Sequence, residues 1–463
     1  MRKMAGLALM IGAALAAGCN STNDSNPPEP RAKNVIFFLG DGMGLNTLTA
    51  ARIYGVGEEG DLTIDTLPET AFIKTYSHDA QVTDSAPSMA AYMTGVKSNN
   101  GVISMDSDAT QEADCNQSAG KPVTTLLELA KADGRGTGIV TSTRVTHATP
   151  AATYAHICNR DLEADIAAQL VPGGAGYNGA LKEGLDVVLG GGSSFFLPTA
   201  DKGTRTDGRN LVSEMQAKGY QFASTLDELN QADASKPLLG LFGSSHMKYD
   251  LDRPASEPSL SQMTLAAIKQ LQGKEKGYFL MVEGGRIDHA LHDTNAKRAL
   301  QDTIAFDDAI KAAILEVKKT DPELQNTLIV VTADHDHTLV LNGYAKRTGK
   351  TTASNPGVLG LVKNYTDGEP SKDADGMPYT IIGFGNGYNR VEGPRSSVAA
   401  LDDATVSADD YHQEVVVSTG DIGNETHGGT DVFLGAIGQG ADSFHGSLDN
   451  TAVFGKVKAA AKL

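Results

Sequence analysis

Apolar and polar positions fall into blocks along this chain. Short apolar runs recur at 35–38, 139–140, 186–189, 278–282 and 328–331, with a late run at 431–436. Most of them lead straight into glycine, hydroxyl or acidic residues: Gly40-Asp41-Gly42, Thr141-Ser142-Thr143, Gly190-Gly191-Gly192, Glu283-Gly284-Gly285 and Thr332-Ala333-Asp334. Between the runs lie stretches with helical spacing, among them one through 50–54, then 126–133, 260–271 and a long one at 295–317. Apolar runs that alternate with helical stretches predict parallel strands buried on both faces. The fold class expected is therefore α/β, a mostly parallel central sheet with helices on both faces. Ligands of such sheets bind beyond the carboxyl ends of the strands. That rule gathers Asp41, Thr149, Glu283 and Asp334 on one rim. The stretch 345–424 breaks the pattern, being rich in Gly, Pro, Asp and Ser with short apolar pieces, and predicts an insertion. No internal repeat of fixed period is present.

The first thirty residues read as an address rather than as fold. Arg2 and Lys3 precede an apolar run from Met4 to Ala17, and Ala16-Ala17-Gly18-Cys19 follows. Such a run is a secretory signal, too short to span a bilayer. The cysteine after Gly18 resembles a bacterial lipoprotein processing site, although the usual leucine stands one place early, at Leu15. The expected segments are a signal peptide at 1–18, a polar, Pro-rich tether at 19–31 and a main domain at 32–463 that carries the insertion. The protein is expected to be exported to the periplasm, with a membrane contact only through a lipid on Cys19. In an oxidising compartment the remaining Cys115 and Cys158 either pair or stay as two free thiols.

Composition narrows the partners. The chain has 463 residues, enough for one large elaborated domain or a few smaller ones. Its 39 Lys and Arg against 57 Asp and Glu leave a formal net charge of −18, which argues against nucleic acid as a specific partner. Hydrophobic residues at 40% exclude both a polytopic membrane protein and wholesale disorder.

The candidate chemistry lies in histidines, carboxylates and one serine. Seven of the 11 histidines stand in or beside acidic or hydroxyl motifs: His147, His156, His289, His292, His335, His337 and His427. His78, His246, His412 and His445 are set aside as surface or core residues. Asp288 and His292 are spaced to share one helix face. Mixed Asp and His donors suit zinc, whereas Asp41, Glu283 and a threonine hydroxyl suit a hard ion such as magnesium. Ser85, in Thr83-Asp84-Ser85-Ala86-Pro87-Ser88, stands where a helix would begin, a position that favours anions. On spacing alone, Ser85 or Asp84 serves equally well as a plain helix cap.

These motifs occur in the order found in alkaline phosphatases, which the chain resembles from about Lys33 to Val453. The set comprises Gly40-Asp41-Gly42-Met43-Gly44, Thr83-Asp84-Ser85-Ala86, Ala148-Thr149-Pro150-Ala151, Val282 to His289, Thr332 to His337 and Glu425-Thr426-His427-Gly428-Gly429. His147 and His289 are similar to the branch shared by vertebrate and some marine bacterial enzymes. The resemblance implies hydrolysis of phosphate monoesters of broad range through a phosphoserine, with an alkaline pH optimum. It implies Ser85 as nucleophile and Arg160 as the fork on two phosphate oxygens. It implies two zinc ions and one magnesium per subunit. Asp41, Asp334 and His335 would hold the zinc at the serine; Asp288, His292 and His427 would hold the second; Asp41, Thr149 and Glu283 would hold magnesium. His147, His289 and His337 would orient ligands or water beside them, and Asp84 would position its neighbours. The insertion would correspond to the family's crown, and the protein would be a homodimer. The run Ser85-Ala86-Pro87-Ser88 with Met93-Thr94-Gly95 also resembles the sulfatase signature, but Met89 stands where that signature needs arginine. Leu241-Phe242 is followed by Gly243 rather than an acid, which leaves no expectation of a fourth metal.

Overall fold

The computed structural model describes residues 31–420 and 423–463; the expected signal peptide and all of the tether but Arg31 lie outside them. The chain builds a ten-stranded central sheet. Its strands are β1 (Asn34–Gly40), β2 (Glu69–Lys74), β3 (Gly136–Arg144), β4 (Val187–Gly191), β5 (Gln221–Ala223), β6 (Leu238–Leu241), β7 (Tyr278–Gly284) and β8 (Thr327–Ala333). After β8 come the short β9 (Asp336–His337), β10 (Leu339–Leu341), β11 (Ile382–Gly387), β12 (Val415–Ser418) and β13 (His427–Gly428), which lie outside the main sheet. β14 (Val432–Gly438) and β15 (Gly446–Asp449) return to it. The order across the sheet is β15-β2-β14-β8-β1-β7-β3-β4-β6-β5.

The expected parallel core is present: β8, β1, β7, β3, β4, β6 and β5 pair parallel. The late apolar run forms β14, which pairs antiparallel with both β8 and β2, so the sheet is mixed at that side. β1, β7 and β8 are buried almost end to end, as expected of apolar strands covered on both faces. β2 carries one buried side only, and its alternation Glu69 to Lys74 reads as an outer strand. Helices cover both faces. The helix Ala296–Val317 packs against Leu45–Val56, Leu260–Leu271 and Arg286–His292, while Ser85–Thr94 packs against Asn450–Ala461. Helix boundaries follow local signals. Capping boxes at Thr125/Glu128 and Ser259/Gln262 open two of them, and Gly134 and Gly95 close two in left-handed conformation.

Register decides where the rim falls. Gly40 of β1 is level with Gly284 of β7 and Ala333 of β8. Asp41 and Asp334 therefore leave adjacent strands at one height, and Glu283 stands beside them on the next strand. The segment after β8 holds a separate three-stranded sheet, β10-β11-β12. Cys115 and Cys158, left open by the sequence, form a disulfide.

Candidate active site

The helix Ser85–Thr94 starts at the rim because Asp84 caps it, its carboxylate accepting from the Ala86 N–H at 2.7 Å. Three contacts fix that helix to the strand ends. Ser88 Oγ donates to the Asp334 carbonyl at 2.6 Å, Tyr92 Oη donates to the Ala333 carbonyl at 2.8 Å, and the Tyr92 ring packs on Phe37 of β1. Ser85 is thereby buried with its Oγ 3.3 Å from Asp41 Oδ1 and 3.2 Å from His335 Nε2.

Around the serine, the donors expected from the sequence converge in three sets. Asp41, Asp334 and His335 are all buried, with His335 Nε2 3.3 Å from Asp41 and 3.4 Å from Asp334 Oδ2. Asp288 Oδ1, His292 Nε2 and His427 Nε2 face one another at 3.3 Å, 3.5 Å and 3.1 Å. The Thr149 hydroxyl lies 3.4 Å from Asp41 Oδ2, and Asp41, His147 and Glu283 bring ligand atoms to one point. Asp334 Oδ2, Glu283 Oε1 and His147 Nδ1 are buried without a hydrogen-bond partner. Orphaned acceptors at this density cost free energy unless something else meets them. Their chemistry, carboxylate oxygen and imidazole nitrogen, is that of divalent metal ligands.

Arg160 reaches the same mouth from the loop after β3. Its Nη1 donates to Asp84 at 2.9 Å, and its Nη2 lies 3.1 Å from His147 Nε2. His337 spans Asp288, at 2.8 Å, and Glu425, at 2.5 Å. Glu425 also accepts from the Thr338 N–H and hydroxyl, both at 2.6 Å. The sequence reading placed Glu425 in a motif but gave it no task. His289 contacts Arg286 at 2.9 Å and packs its ring on His147. His246, set aside from the sequence, belongs here too: its ring lies 4.2 Å from that of His289 and 5.3 Å from that of His147, and Arg144 holds it. Nothing in the run Gly243 to Lys248 signals this; only the pairing of β6 beside β4 carries it to the rim. His156 is not part of the cluster and pairs with Glu128 at 2.7 Å.

Burial sets the protonation of the site. It pushes the Asp334 carboxyl up to about 7, with Asp41 adding to the effect, and pushes Glu283 up to about 7 against two threonine hydrogen bonds. Burial and the nearby Asp288 and Glu283 hold Asp41 well above the ordinary carboxylate range. For Asp288 burial works the other way from the outcome: His292, His337 and His427 outweigh it and keep the carboxylate ionised. Burial also opposes charge on His337, but Glu425 and Asp288 hold its pKa well above the usual value. Burial and Arg160 keep His147 neutral.

Comparisons with known proteins agree on one family. The alkaline phosphatase family model matches residues 32–463. The tissue-nonspecific alkaline phosphatase of Gallus gallus is 40% identical over 448 residues, covering 90% of this chain and 82% of that protein. The human tissue-nonspecific isozyme is 38% identical over 456 residues, covering 90% and 81%. Among solved structures, the Thermus thermophilus alkaline phosphatase superposes with a TM-score of 0.67 at 27% identity, covering 97% of this chain and 96% of its own. The alkaline phosphatase of the Antarctic bacterium TAB5 gives 0.64 at 25% identity, covering 94% and 98%. The chain therefore belongs to the alkaline phosphatase family and hydrolyses phosphate monoesters.

Proposed function

We propose that Ser85 is the nucleophile that accepts the phosphoryl group, and that Arg160 binds two of its oxygens. The observation that carries this is the approach of Ser85 Oγ to both Asp41 and His335 at the start of a buried helix. A helix start favours the alkoxide and the incoming phosphate. Asp84 holds Arg160 by one nitrogen, which aims a planar fork suited to two phosphate oxygens. His147, His289 and His337 orient their neighbours, His337 through its bridge from Asp288 to Glu425.

The donor sets fit three cations. Asp41, Asp334 and His335 would hold one zinc, Asp288, His292 and His427 a second, and Asp41, Thr149 and Glu283 a magnesium. The oxygens of Asp41, Thr149 and Glu283 are the hard donors that magnesium prefers, and His147 stands beside them; the 25% identical TAB5 enzyme with magnesium in its M3 site is a variant in which glutamate replaces a histidine. When bound, such metals supply Lewis acidity that ionises an alcohol or water and offsets phosphoryl charge. Ser85 attacks phosphorus in line as the alcohol leaves, and water attacks the phosphoserine in line on the return. Two inversions give net retention at phosphorus.

Hydrolysis of a chromogenic monoester, diester and sulfate tests the reading. Ser85→Ala is expected to lose about 10³-fold or more in kcat/KM on the monoester, by the scale of lost nucleophiles. Full activity in Ser85→Ala would sink the covalent route, and full activity after exhaustive chelation would sink the metal assignment.

Export to the periplasm, with lipid on Cys19, is the reading of location. The Cys115–Cys158 disulfide supports an oxidising compartment. Among the described residues no helix is long and apolar enough to cross a membrane. The mass of the mature N-terminal peptide distinguishes lipidated Cys19 from simple cleavage. A homodimer through the β10-β11-β12 sheet is supported by the exposed apolar residues on its two outer strands, Val416 at 72% and Val417 at 56% exposure on β12 and Val340 and Leu341 on β10. Val416→Lys is expected to shift the mass in light scattering toward the monomer.

A further inference from the structure

The loop that carries Arg160 is held from two sides. On its inner side Ile157 and Ile103 exchange backbone hydrogen bonds at 2.9 Å and 3.1 Å, and the Arg160 N–H donates to the Gly101 carbonyl at 2.8 Å. The Gly101 N–H donates in turn to Asp84, the residue that grips the guanidinium. On its outer side lies the segment 106–117, which holds no helix or strand and is largely exposed. This segment touches the arginine loop at few points. Asn159 Nδ2 donates to the Glu112 carbonyl at 2.9 Å, and Gln111 Nε2 donates to Asn159 Oδ1 at 3.2 Å. The Gln111 side chain also covers Gly101, where a Cβ would collide with its amide. Then comes the one covalent link, Cys115 to the buried Cys158, two residues before Arg160.

The charge of the segment gives that link a task. Between Ser98 and Gly120 the chain carries Asp106, Asp108, Glu112 and Asp114 and no Lys or Arg. None of these four acids is in an ion pair among the described residues. An acidic, irregular segment has little apolar burial to keep it in place, and a phosphate dianion arriving at Arg160 repels it. Asn99 Nδ2 ties the start of the segment to the body through the Ser107 and Ala109 carbonyls, at 3.1 Å and 2.8 Å, so it is the turn 111–117 that meets the arginine loop through Gln111, Glu112 and the disulfide.

We propose that the segment 106–117, stapled by Cys115–Cys158 and by Asn159, is the outer wall that positions Arg160 for phosphate. This rests on the reading of Arg160 as the phosphate fork. The disulfide acts through Arg160; it touches neither substrate nor reacting atoms, so Cys115, Cys158 and Asn159 are positioning residues. Binding then has to order the long Arg160 side chain, so release of the wall should weaken phosphate binding by about two- to tenfold.

The test compares the metal-saturated full-length protein with Cys115→Ala/Cys158→Ala, each with and without Arg160→Ala. The readouts are inhibition by inorganic phosphate and the KM and kcat for 4-nitrophenyl phosphate. The double cysteine variant is expected to raise the phosphate inhibition constant and KM together, with a smaller change in kcat. In the Arg160→Ala background the same cysteine changes are expected to do nothing more. Should the cysteine variant fail to fold, Asn159→Ala, which keeps the disulfide, must still raise the phosphate inhibition constant. A folded cysteine variant that melts earlier but binds phosphate like the wild type would overturn the proposal, as would an equal effect with and without Arg160. Wild-type phosphate inhibition in Arg160→Ala alone would instead overturn the reading of the arginine itself.

Discussion

Asp334 and Glu283 each present one buried oxygen with no partner, and burial pushes both carboxyls up to about 7. In the metal-free fold both groups hold protons that the unfolded chain would have released near pH 4. Their contribution to stability is therefore present below about pH 4 and is lost as pH rises toward about 7. Metal ligation needs the ionised form and reverses the balance. Chelator-stripped protein is expected to lose thermal stability as pH rises from about 4 to about 7, while metal-loaded protein should not. A stripped protein whose melting temperature climbs over that range would show that these carboxyls are not what destabilises it. At this scale most site residues could be picked out by type and by motif, since acids and histidines cluster beside glycine turns. Glu425 and His246 could not, because their tasks depend on what folds against them: the His337 imidazole in one case, the rings of His147 and His289 in the other.

At the scale of elements, the serine is placed by the helix that carries it rather than by its own contacts. Ser88 and Tyr92 lie one and two turns further along Ser85–Thr94, and both bond to carbonyls at the end of β8. Ser88→Ala with Tyr92→Phe removes both anchors and leaves two buried carbonyls wanting. The loss in stability is expected to be about 1–3 kcal/mol, read from urea unfolding. Activity at a temperature where the variant stays folded should fall further than stability explains, because Ser85 then drifts from Asp41 and His335. Full kcat in the folded variant would show that the helix start alone sets the serine. The central strands were legible because β1, β7 and β8 are nearly continuous apolar runs. The outer strands were not: β5 and β6 are only three and four residues long, and β2 alternates so that half of it faces out. The antiparallel direction of β14 leaves no trace in a run of apolar residues, since pattern reports burial and not direction.

For the whole molecule, the balance of charge works against its own substrate. The net charge is −18. A phosphate monoester dianion is repelled by that field at long range. On the proposed reading, attraction comes from Arg160, the helix start at Ser85 and the cations that the donor sets would hold. These short-range terms act over a few ångströms among largely buried groups and are screened little by salt, whereas the long-range repulsion is screened within about 10 Å at 0.1 M ionic strength. Raising salt from low ionic strength is therefore expected to increase kcat/KM for a dianionic substrate by lowering KM, with kcat nearly constant. The same titration with Arg160→Ala keeps the repulsion and removes part of the local pull, so its relative gain with salt should be at least as large. A steady fall of kcat/KM with salt in the wild type would mean that the mouth attracts anions from a distance, and that the acidic surface is turned away from the path the substrate takes.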